Sequence, residues 1–461
     1  MSERSDERGP ASARRADVVP LAVATRAWWK VSLQTFGGPA GQIAVMHREL
    51  VDERRWIGDG RFLHALSFCT LLPGPEAQQL AIYLGWLVNG TLGGLVAGIL
   101  FVLPGFVAIM ALSVLYAGWG ESLAVTALLA GVAPAVLAIV TQAVIRVSGR
   151  ALHDALLRSL AVASFAALAI FAVPFPVVIA VAGVVGWLAG RRGTQALATT
   201  ATSVDRDGPP PLIPDDALHG ERPSAARALR VVLIGVVLWV TPVAAVALLF
   251  GRESVFVDQG RFFGGAALVT FGGAYAVLAY VAQRAVEVYG WLAPGEMITG
   301  LAMAETTPGP LIQVVQFVGF MGAHRAPGDL DPWVAGVVAA TLVTWVTFVP
   351  CFVFIFLGAP HIEALRHDQR LAAGLAGITA AVVGVIANLA VFFAVHTLFD
   401  DVTVERAGPL RLQVPDLSTF QPRAAAVAVL AFLLLFRLRW SVLRTLGACA
   451  AAGALLHVVA A

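Results

Sequence analysis

Long apolar stretches separated by short polar segments make up most of the chain from residue 21 onwards. A helix needs about 20 predominantly apolar residues to cross a bilayer, and several of the stretches reach that length. We therefore predict an all-α polytopic membrane protein with about thirteen spans, or about ten if the shorter stretches only form hairpins. The predicted spans are 21–45, 62–88, 92–118, 123–147, 157–172, 174–190, 229–250, 262–288, 296–322, 333–358, 371–398, 424–438 and 440–460.

The two parts of the chain repeat each other. A single ungapped register aligns Phe36-Gly37-Gly38 with Phe271-Gly272-Gly273, and Pro73-Gly74-Pro75 with Pro308-Gly309-Pro310. We call these the FGG and PGP motifs. Between the parts, residues 191–228 are rich in proline and alanine and carry both charge signs, as is typical of a solvated linker. We predict a cytoplasmic tail at 1–20, a first repeat at 21–190, a cytoplasmic linker at 191–228 and a second repeat at 229–461.

The distribution of arginine over the short loops places the N-terminus and the linker in the cytoplasm. Seven predicted crossings then separate the first segment from its counterpart, so we expect the repeats to have opposite orientations, which is typical of secondary transporters. The number of crossings, and with it the predicted orientation of the repeats, changes if the PGP segments re-enter the membrane without crossing it. The loop 47–61 conflicts with the scheme, because its four arginines fall on the outside.

The composition supports the membrane class. Only 13% of the residues are charged, against about 25% in soluble proteins. The net charge of +2 and the short basic clusters between apolar segments give no indication of a nucleic-acid partner. Of the 31 basic residues all but Lys30 are arginine, and Lys30 lies inside the first predicted span.

Each PGP motif interrupts an apolar stretch. Proline ends a helix and also favours the first turn of a new one, so we expect two half-helices at each motif. The second half-helix then presents free N–H groups and its positive dipole end to an anion. A simple kink is the alternative, but two motifs at equivalent positions favour a binding site. The FGG glycines permit close approach of a ligand or of another helix.

Charged and amide side chains near these motifs are candidates for binding. Arg26 and Lys30 share a helix face, and Arg261 occupies the position equivalent to Arg26. One alternative is that these side chains snorkel to the membrane interface. The other is that they bind the substrate, because a cation inside the membrane is by default a candidate functional residue. Glu76 and Glu305 flank the PGP motifs, and each either caps a helix dipole or carries a proton.

The sequence therefore predicts a substrate site without catalytic residues, metal ligands or a cofactor. No nucleophile elbow, phosphate-binding loop or dinucleotide fingerprint occurs in the sequence. The predicted substrate-binding residues are Arg26, Lys30, Phe36, Gly37, Gly38, Pro73, Gly74, Pro75, Glu76, Gln78, Gln79, Arg261, Phe271, Gly272, Gly273, Glu305, Thr306, Thr307, Pro308, Gly309, Pro310, Gln313 and Gln316.

These motifs resemble those of a known family. The stretches QTFGGPAGQIAVMHRELVDERRWI and LLPGPEAQQLAIYLGWLVNG in the first half, with TFGGAYAVLAYV and ETTPGPLIQVVQFVGF in the second, look like the two-domain, long-chain form of the chromate ion transporter family. The resemblance covers residues 21–398. It implies a transporter that exports chromate and gives chromate resistance, with sulfate as the competing analogue. Ala274 stands where the first half has Pro39, so the site need not be symmetric.

We thus expect alternating-access export of a tetrahedral dianion that binds between the two PGP breaks of a multi-pass inner (plasma) membrane protein. The expected partners are chromate or sulfate and the lipid bilayer, and a homodimer is a further partner that the sequence leaves open. One alternative is uptake of sulfate or another oxyanion with protons as the coupling ion. A more remote alternative is an integral membrane enzyme.

Overall fold

The computed structural model describes residues 18–36, 38–70, 72–120, 122–191, 210–214, 224–271, 274–361, 369–407 and 410–458. The described chain is mostly helical, as predicted, and also contains a β-hairpin that the apolar pattern did not predict. The elements are α1 Leu21–Ser32, α2 Gly38–His47, α3 Asp59–Cys69, α4 Glu76–Trp119, α5 Leu123–Ala151, α6 Ala155–Ala169, α7 Phe175–Arg191, α8 Ala225–Phe250, α9 Val255–Val269, α10 Ala274–Gln283, α11 Pro294–Thr306, α12 Val314–Arg325, α13 Pro332–Gly358, α14 Gln369–Leu398, β1 Val402–Ala407, β2 Leu410–Pro415, α15 Pro422–Phe432 and α16 Val442–Val458.

Within the described residues, five helices are long and apolar enough to cross a membrane, namely α4, α5, α8, α13 and α14. Other apolar helices are shorter than the bilayer core is thick: α6 has 15 residues and α7 has 17. The multi-pass character is therefore confirmed, but the count of about thirteen spans is not.

The first PGP motif lies at the tip of a folded-back hairpin. The predicted span 62–88 is interrupted between α3 and α4, and α4 itself breaks at Gly90, whose φ of 60° and ψ of −151° only glycine adopts readily. Segment 76–88 consequently packs antiparallel on segment 91–119, and the Gln78 amide donates a hydrogen bond to the Gly98 carbonyl over 3.0 Å. The PGP motif therefore lies beside the middle of a long apolar helix.

The second PGP motif has the same arrangement. It separates α11 from the single 3₁₀ turn that opens α12. Helix α12 then packs antiparallel on α13, with Gly319 against Val343 and Gly336 against Phe320. The half-helices predicted at both motifs are present, and the stretches 62–88 and 296–322 are each divided, because proline and glycine end one helix before the next begins.

Equivalent elements recur in the two repeats. The same number of residues separates the internal proline of α4 from the start of α5 and the internal proline of α13 from the start of α14. A short helical hairpin follows each of these helices, namely α6–α7 after α5 and α15–α16 after α14. Helix α5 packs mainly on α16, whereas α14 packs mainly on α6 and α7, so each hairpin supports the long helix of the other repeat. The equivalent helices α4 and α13 run antiparallel, with Gly94 near Phe356 and Gly118 near Trp333. This packing is consistent with opposite orientations of the repeats, which stay a prediction.

Part of the linker pairs with the loop 47–61. The Gly58 N–H donates to the Ile213 carbonyl over 2.9 Å, and the Ile213 N–H donates to the Trp56 carbonyl over 2.9 Å. The two segments therefore lie on one side, and the prediction that they lie on opposite sides is wrong. The reason is that 21–45 is not one crossing helix, since the chain leaves helical geometry between α1 and α2. With this change the four arginines of the loop no longer conflict with the distribution of charge.

Candidate functional site

The glycine of each PGP motif requires a conformation that other residues rarely adopt. Gly74 has φ +127° and Gly309 has φ +110°. A Cβ atom on Gly309 would lie 3.2 Å from Cα of Gly105, and one on Gly74 would lie 3.1 Å from Sγ of Cys351. Gly105 and Cys351 each directly follow the internal proline of their helix, so both breaks rest on equivalent points of the long helices α4 and α13.

Each break is hydrogen-bonded to the segment before the FGG motif of the other repeat. The Gly74 N–H donates to the Thr270 carbonyl over 2.6 Å, and the Gly309 N–H donates to the Thr35 carbonyl over 3.1 Å. These bonds are reciprocal, since Thr35 aligns with Thr270 in the same register that aligns Gly74 with Gly309. Each PGP motif is thus bonded to the threonine that precedes the FGG motif of the other repeat.

The helices that follow the breaks begin without side-chain caps. Pro75 is the N-cap of α4 and Pro310 that of the 3₁₀ turn Leu311–Gln313, and neither end has a side-chain cap hydrogen bond. Proline offers no polar side chain, so the N-cap residue itself supplies no side-chain acceptor for the N–H groups of the first turn. Together with the helix dipole, such ends attract anions. Glu76, in the first turn of α4, is half-buried.

A buried carboxylate lies beside the second break. Glu305 has 1% of its surface exposed, and the Tyr275 hydroxyl donates a short hydrogen bond to its Oε1. A Cβ atom on Gly38, in the FGG motif of the other repeat, would lie 3.8 Å from Oε2. Among the described residues, Oε2 has no hydrogen-bond partner. An ionised carboxylate in this place would repel an oxyanion, whereas a protonated one would donate a hydrogen bond to it.

Three of the glutamines that were predicted to bind the substrate donate hydrogen bonds to backbone carbonyls instead. The side-chain amide of Gln79 donates to the Pro73 carbonyl over 2.6 Å, and those of Gln313 and Gln316 donate to carbonyls of α4 over 3.2 Å and 2.9 Å. Their buried partners are backbone groups that the breaks and the close helix packing leave available. Gln313 and Gln316 thus hold the start of α12 on α4, and Gln79 holds the first break against the start of α4.

The predicted cations lie on exposed faces. Arg26 and Arg261 are exposed on α1 and α9, and Lys30 pairs with Glu49 over 2.6 Å and with Glu53 over 3.1 Å. Burial opposes ionisation of Glu49, but hydrogen bonds from Lys30 and Arg54 outweigh it and lower the pKa of this carboxyl. The partners of Lys30 therefore belong to the loop 47–61 and not to the breaks.

The other predicted residues have local roles or fall outside the described chain. The Thr306 hydroxyl donates to the Met303 carbonyl over 2.9 Å, and the Thr307 hydroxyl donates to the Ala304 carbonyl over 3.3 Å. Phe271 lines an apolar cleft of about 420 Å³ between α7, α9 and α14, and Phe36 and Pro308 are half-buried. Gly37, Gly272 and Gly273 lie outside the described residues.

Four residues of the site were missing from the predicted set: Thr35, Gln42, Thr270 and Tyr275. The Gln42 amide donates to the Gly309 carbonyl over 2.6 Å. The two threonines could have been found, because they align with each other in the register of the motifs. Gln42 and Tyr275 could not, since the equivalent positions hold Val277 and Ala40.

The family model described as "Chromate transporter" matches residues 23–187 and 257–454. A "Chromate transport protein" from Pseudomonas aeruginosa is 34% identical over 83% of this chain and 81% of its own length. A protein of the same description from Cupriavidus metallidurans is 28% identical over 79% and 80%. A "Probable chromate transport protein" from Synechococcus elongatus is 25% identical over 82% and 85%. No solved structure matches the chain significantly. These matches confirm the resemblance on which the family assignment rests.

Proposed function

Because this chain belongs to the chromate transporter family, we propose that it exports chromate from the cytoplasm across the inner membrane and so confers chromate resistance. The supporting observation is the reciprocal pairing of the two PGP breaks with the opposite repeat. Discontinuous helices at the interface between repeats are where secondary transporters bind their substrates. We place the dianion at the uncapped helix ends after Pro75 and Pro310, where N–H groups replace lost hydration.

The same pairing supports alternating access as the transport mechanism. The bonds from Gly74 to Thr270 and from Gly309 to Thr35 join each break to the other repeat, and we infer that the repeats rock against each other at these points. We assign Gly74 and Gly309 to the moving interface.

The membrane potential favours export. Moving one charge through 100 mV is worth about 2.3 kcal/mol, so a dianion that leaves a negative cytoplasm gains roughly twice that. This gain corresponds to about three decades of concentration gradient. Export of a dianion therefore needs no coupling ion, whereas uptake does.

Proteoliposomes test the proposal. Vesicles loaded with chromate should release it faster when an inside-negative potential is imposed, and sulfate loaded together with chromate should compete for the site and slow chromate release. Vesicles carrying a Gly309→Ala variant provide the matched control. Chromate release that does not depend on the protein, or that does not change when the potential is clamped, would contradict electrogenic export.

The Glu305–Tyr275 pair favours a second candidate, proton-coupled oxyanion transport in which sulfate or a related dianion enters with protons. A buried carboxylate with one unpaired oxygen can hold a proton while the anion is bound and release it afterwards. Sulfate entry that acidifies the vesicle lumen in wild type but not in Glu305→Gln would support this candidate. Sulfate entry without proton movement would exclude it.

A further inference from the structure

A polar cavity is lined by residues other than those predicted to bind the substrate. It has a volume of about 360 Å³ and lies between α5 and the turn that joins α15 to α16. Its polar lining consists of Gln142, Arg146, Arg439 and Trp440, and its apolar lining includes Ile145 and Phe436. Sites for small ligands have volumes of about 300–1,000 Å³, so the cavity is large enough for one ligand group.

The two guanidinium groups of this cavity form no ion pair within the described part of the chain. Arg146 donates a hydrogen bond to Oε1 of Gln142 over 3.0 Å, and both arginines are exposed. No described carboxylate lies within 4.0 Å of either guanidinium. Two like charges in one cavity repel each other, and an anion between them would relieve this repulsion. Guanidinium forks bind phosphate oxygens in pairs.

The surroundings of the cavity fit a ligand with an apolar tail. Ile145 is 56% exposed, Phe436 is 38% exposed and Trp440 is 41% exposed, so an apolar surface adjoins the two charges. Tryptophan beside arginine is typical of the level at which lipid headgroups begin. The arginine distribution also predicts that Arg146 and Arg439 lie on the cytoplasmic side, where anionic lipids concentrate.

We propose that this cavity binds the phosphate group of an anionic phospholipid. Arg146 and Arg439 bind the phosphate oxygens, the Trp440 indole lies at headgroup level, and an acyl chain runs along Ile145 and Phe436. The bound lipid joins α5 of the first repeat to the α15–α16 hairpin of the second. A free tetrahedral oxyanion shares the headgroup chemistry but would not use the apolar surface.

Native mass spectrometry of the full-length protein in detergent tests the proposal. The protein is delipidated and then mixed with phosphatidylglycerol, with phosphatidylcholine, or with inorganic sulfate alone. Wild type should retain phosphatidylglycerol in preference to phosphatidylcholine. The double variant Arg146→Gln with Arg439→Gln should reduce this preference roughly thirtyfold, because each charge that is removed reduces it by a factor of roughly five and the two factors multiply.

Arg423→Gln is the matched control, because it removes the same charge from an exposed position at the other end of the hairpin. This variant should retain the lipid as wild type does, and comparable thermal unfolding of all variants shows that they are folded. Equal preference for phosphatidylglycerol in wild type and in the double variant would overturn the proposal. The proposal would also be overturned if wild type retained no phosphatidylglycerol but retained sulfate, and the double variant lost that sulfate.

Discussion

The conformations of Gly74 and Gly309 restrict both positions to glycine. Their φ angles of +127° and +110° lie well beyond the left-handed region that asparagine tolerates, and both are packed against a long helix. The reciprocal bonds to Thr35 and Thr270 depend on this backbone geometry, since the N–H that donates belongs to the glycine itself. Even an alanine side chain would therefore disturb the contact between the repeats.

We predict that Gly309→Ala abolishes chromate flux and destabilises the protein by about 1–3 kcal/mol, because backbone strain adds to the contact with Gly105. Gly328→Ala is the control: Gly328 also has positive φ, at +62°, but nothing lies within 4 Å of the added Cβ. Flux assays and thermal unfolding of both variants provide the measurement. If Gly309→Ala transports normally, the tight approach of this break to α4 is not required.

Glu305 is expected to make transport depend on pH. An oxyanion binds when the carboxyl is protonated and is repelled when it is ionised, so flux should rise as the pH falls. We predict that Glu305→Gln, which stays neutral, flattens the pH profile of sulfate transport. Sulfate is the suitable substrate because it stays fully ionised near neutral pH. Glu253→Gln, at an exposed position, should keep the wild-type profile, and an unchanged profile in Glu305→Gln would argue against a protonated Glu305.

At the scale of elements, the break inside α4 decides whether the first PGP motif reaches the middle of the protein. Segment 76–88 folds back only because the chain reverses at Asn89 and Gly90. Apolar periodicity cannot reveal such a reversal, since both arms are equally hydrophobic. The amide of Asn89, which donates to the Val19 carbonyl over 2.6 Å, then joins the turn to the start of α1.

We predict that Gly90→Ala destabilises the protein by about 1–3 kcal/mol through backbone conformation alone, because its φ of 60° and ψ of −151° exclude a side chain while nothing lies within 4 Å of the added Cβ. Gly447→Ala, in the middle of α16 and equally uncrowded, should instead stabilise by up to about 1 kcal/mol. Chemical or thermal unfolding in detergent measures both. Equal effects of the two substitutions would show that Gly90 is not strained.

At the scale of the whole molecule, each repeat contributes a helical hairpin that packs on a long helix of the other repeat. The hairpin α6–α7 packs on α14, and α15–α16 packs on α5, while the breaks bond across the interface. Neither repeat would therefore bury its long helix without the other. Backbone hydrogen bonds separately hold the loop 47–61 and Ile213 of the linker together on one side.

This arrangement predicts the accessibility of single cysteines in intact cells. Asp52→Cys and Leu212→Cys should react alike with a membrane-impermeant maleimide, because the loop and the linker lie on one side. Glu253→Cys, which follows the crossing helix α8, should show the opposite reactivity. Cys69, Cys351 and Cys449 are buried and should give little background. If Asp52→Cys and Glu253→Cys are both labelled, the loop 47–61 lies outside, as the apolar pattern predicted, and the arrangement described here is wrong.

The sequence by itself determined the helical membrane class, the family and the motifs that break the helices. These features follow from local composition and from residues such as Pro73 and Pro308, whose effect on a helix does not depend on distant contacts. Only the tertiary structure decided which apolar stretches are long enough to cross, that Lys30 pairs with Glu49, and that Tyr275 bonds to Glu305. The physical reason is that hydrophobicity drives a segment out of water but does not fix its direction or its partner, which depend on contacts between residues far apart in the chain.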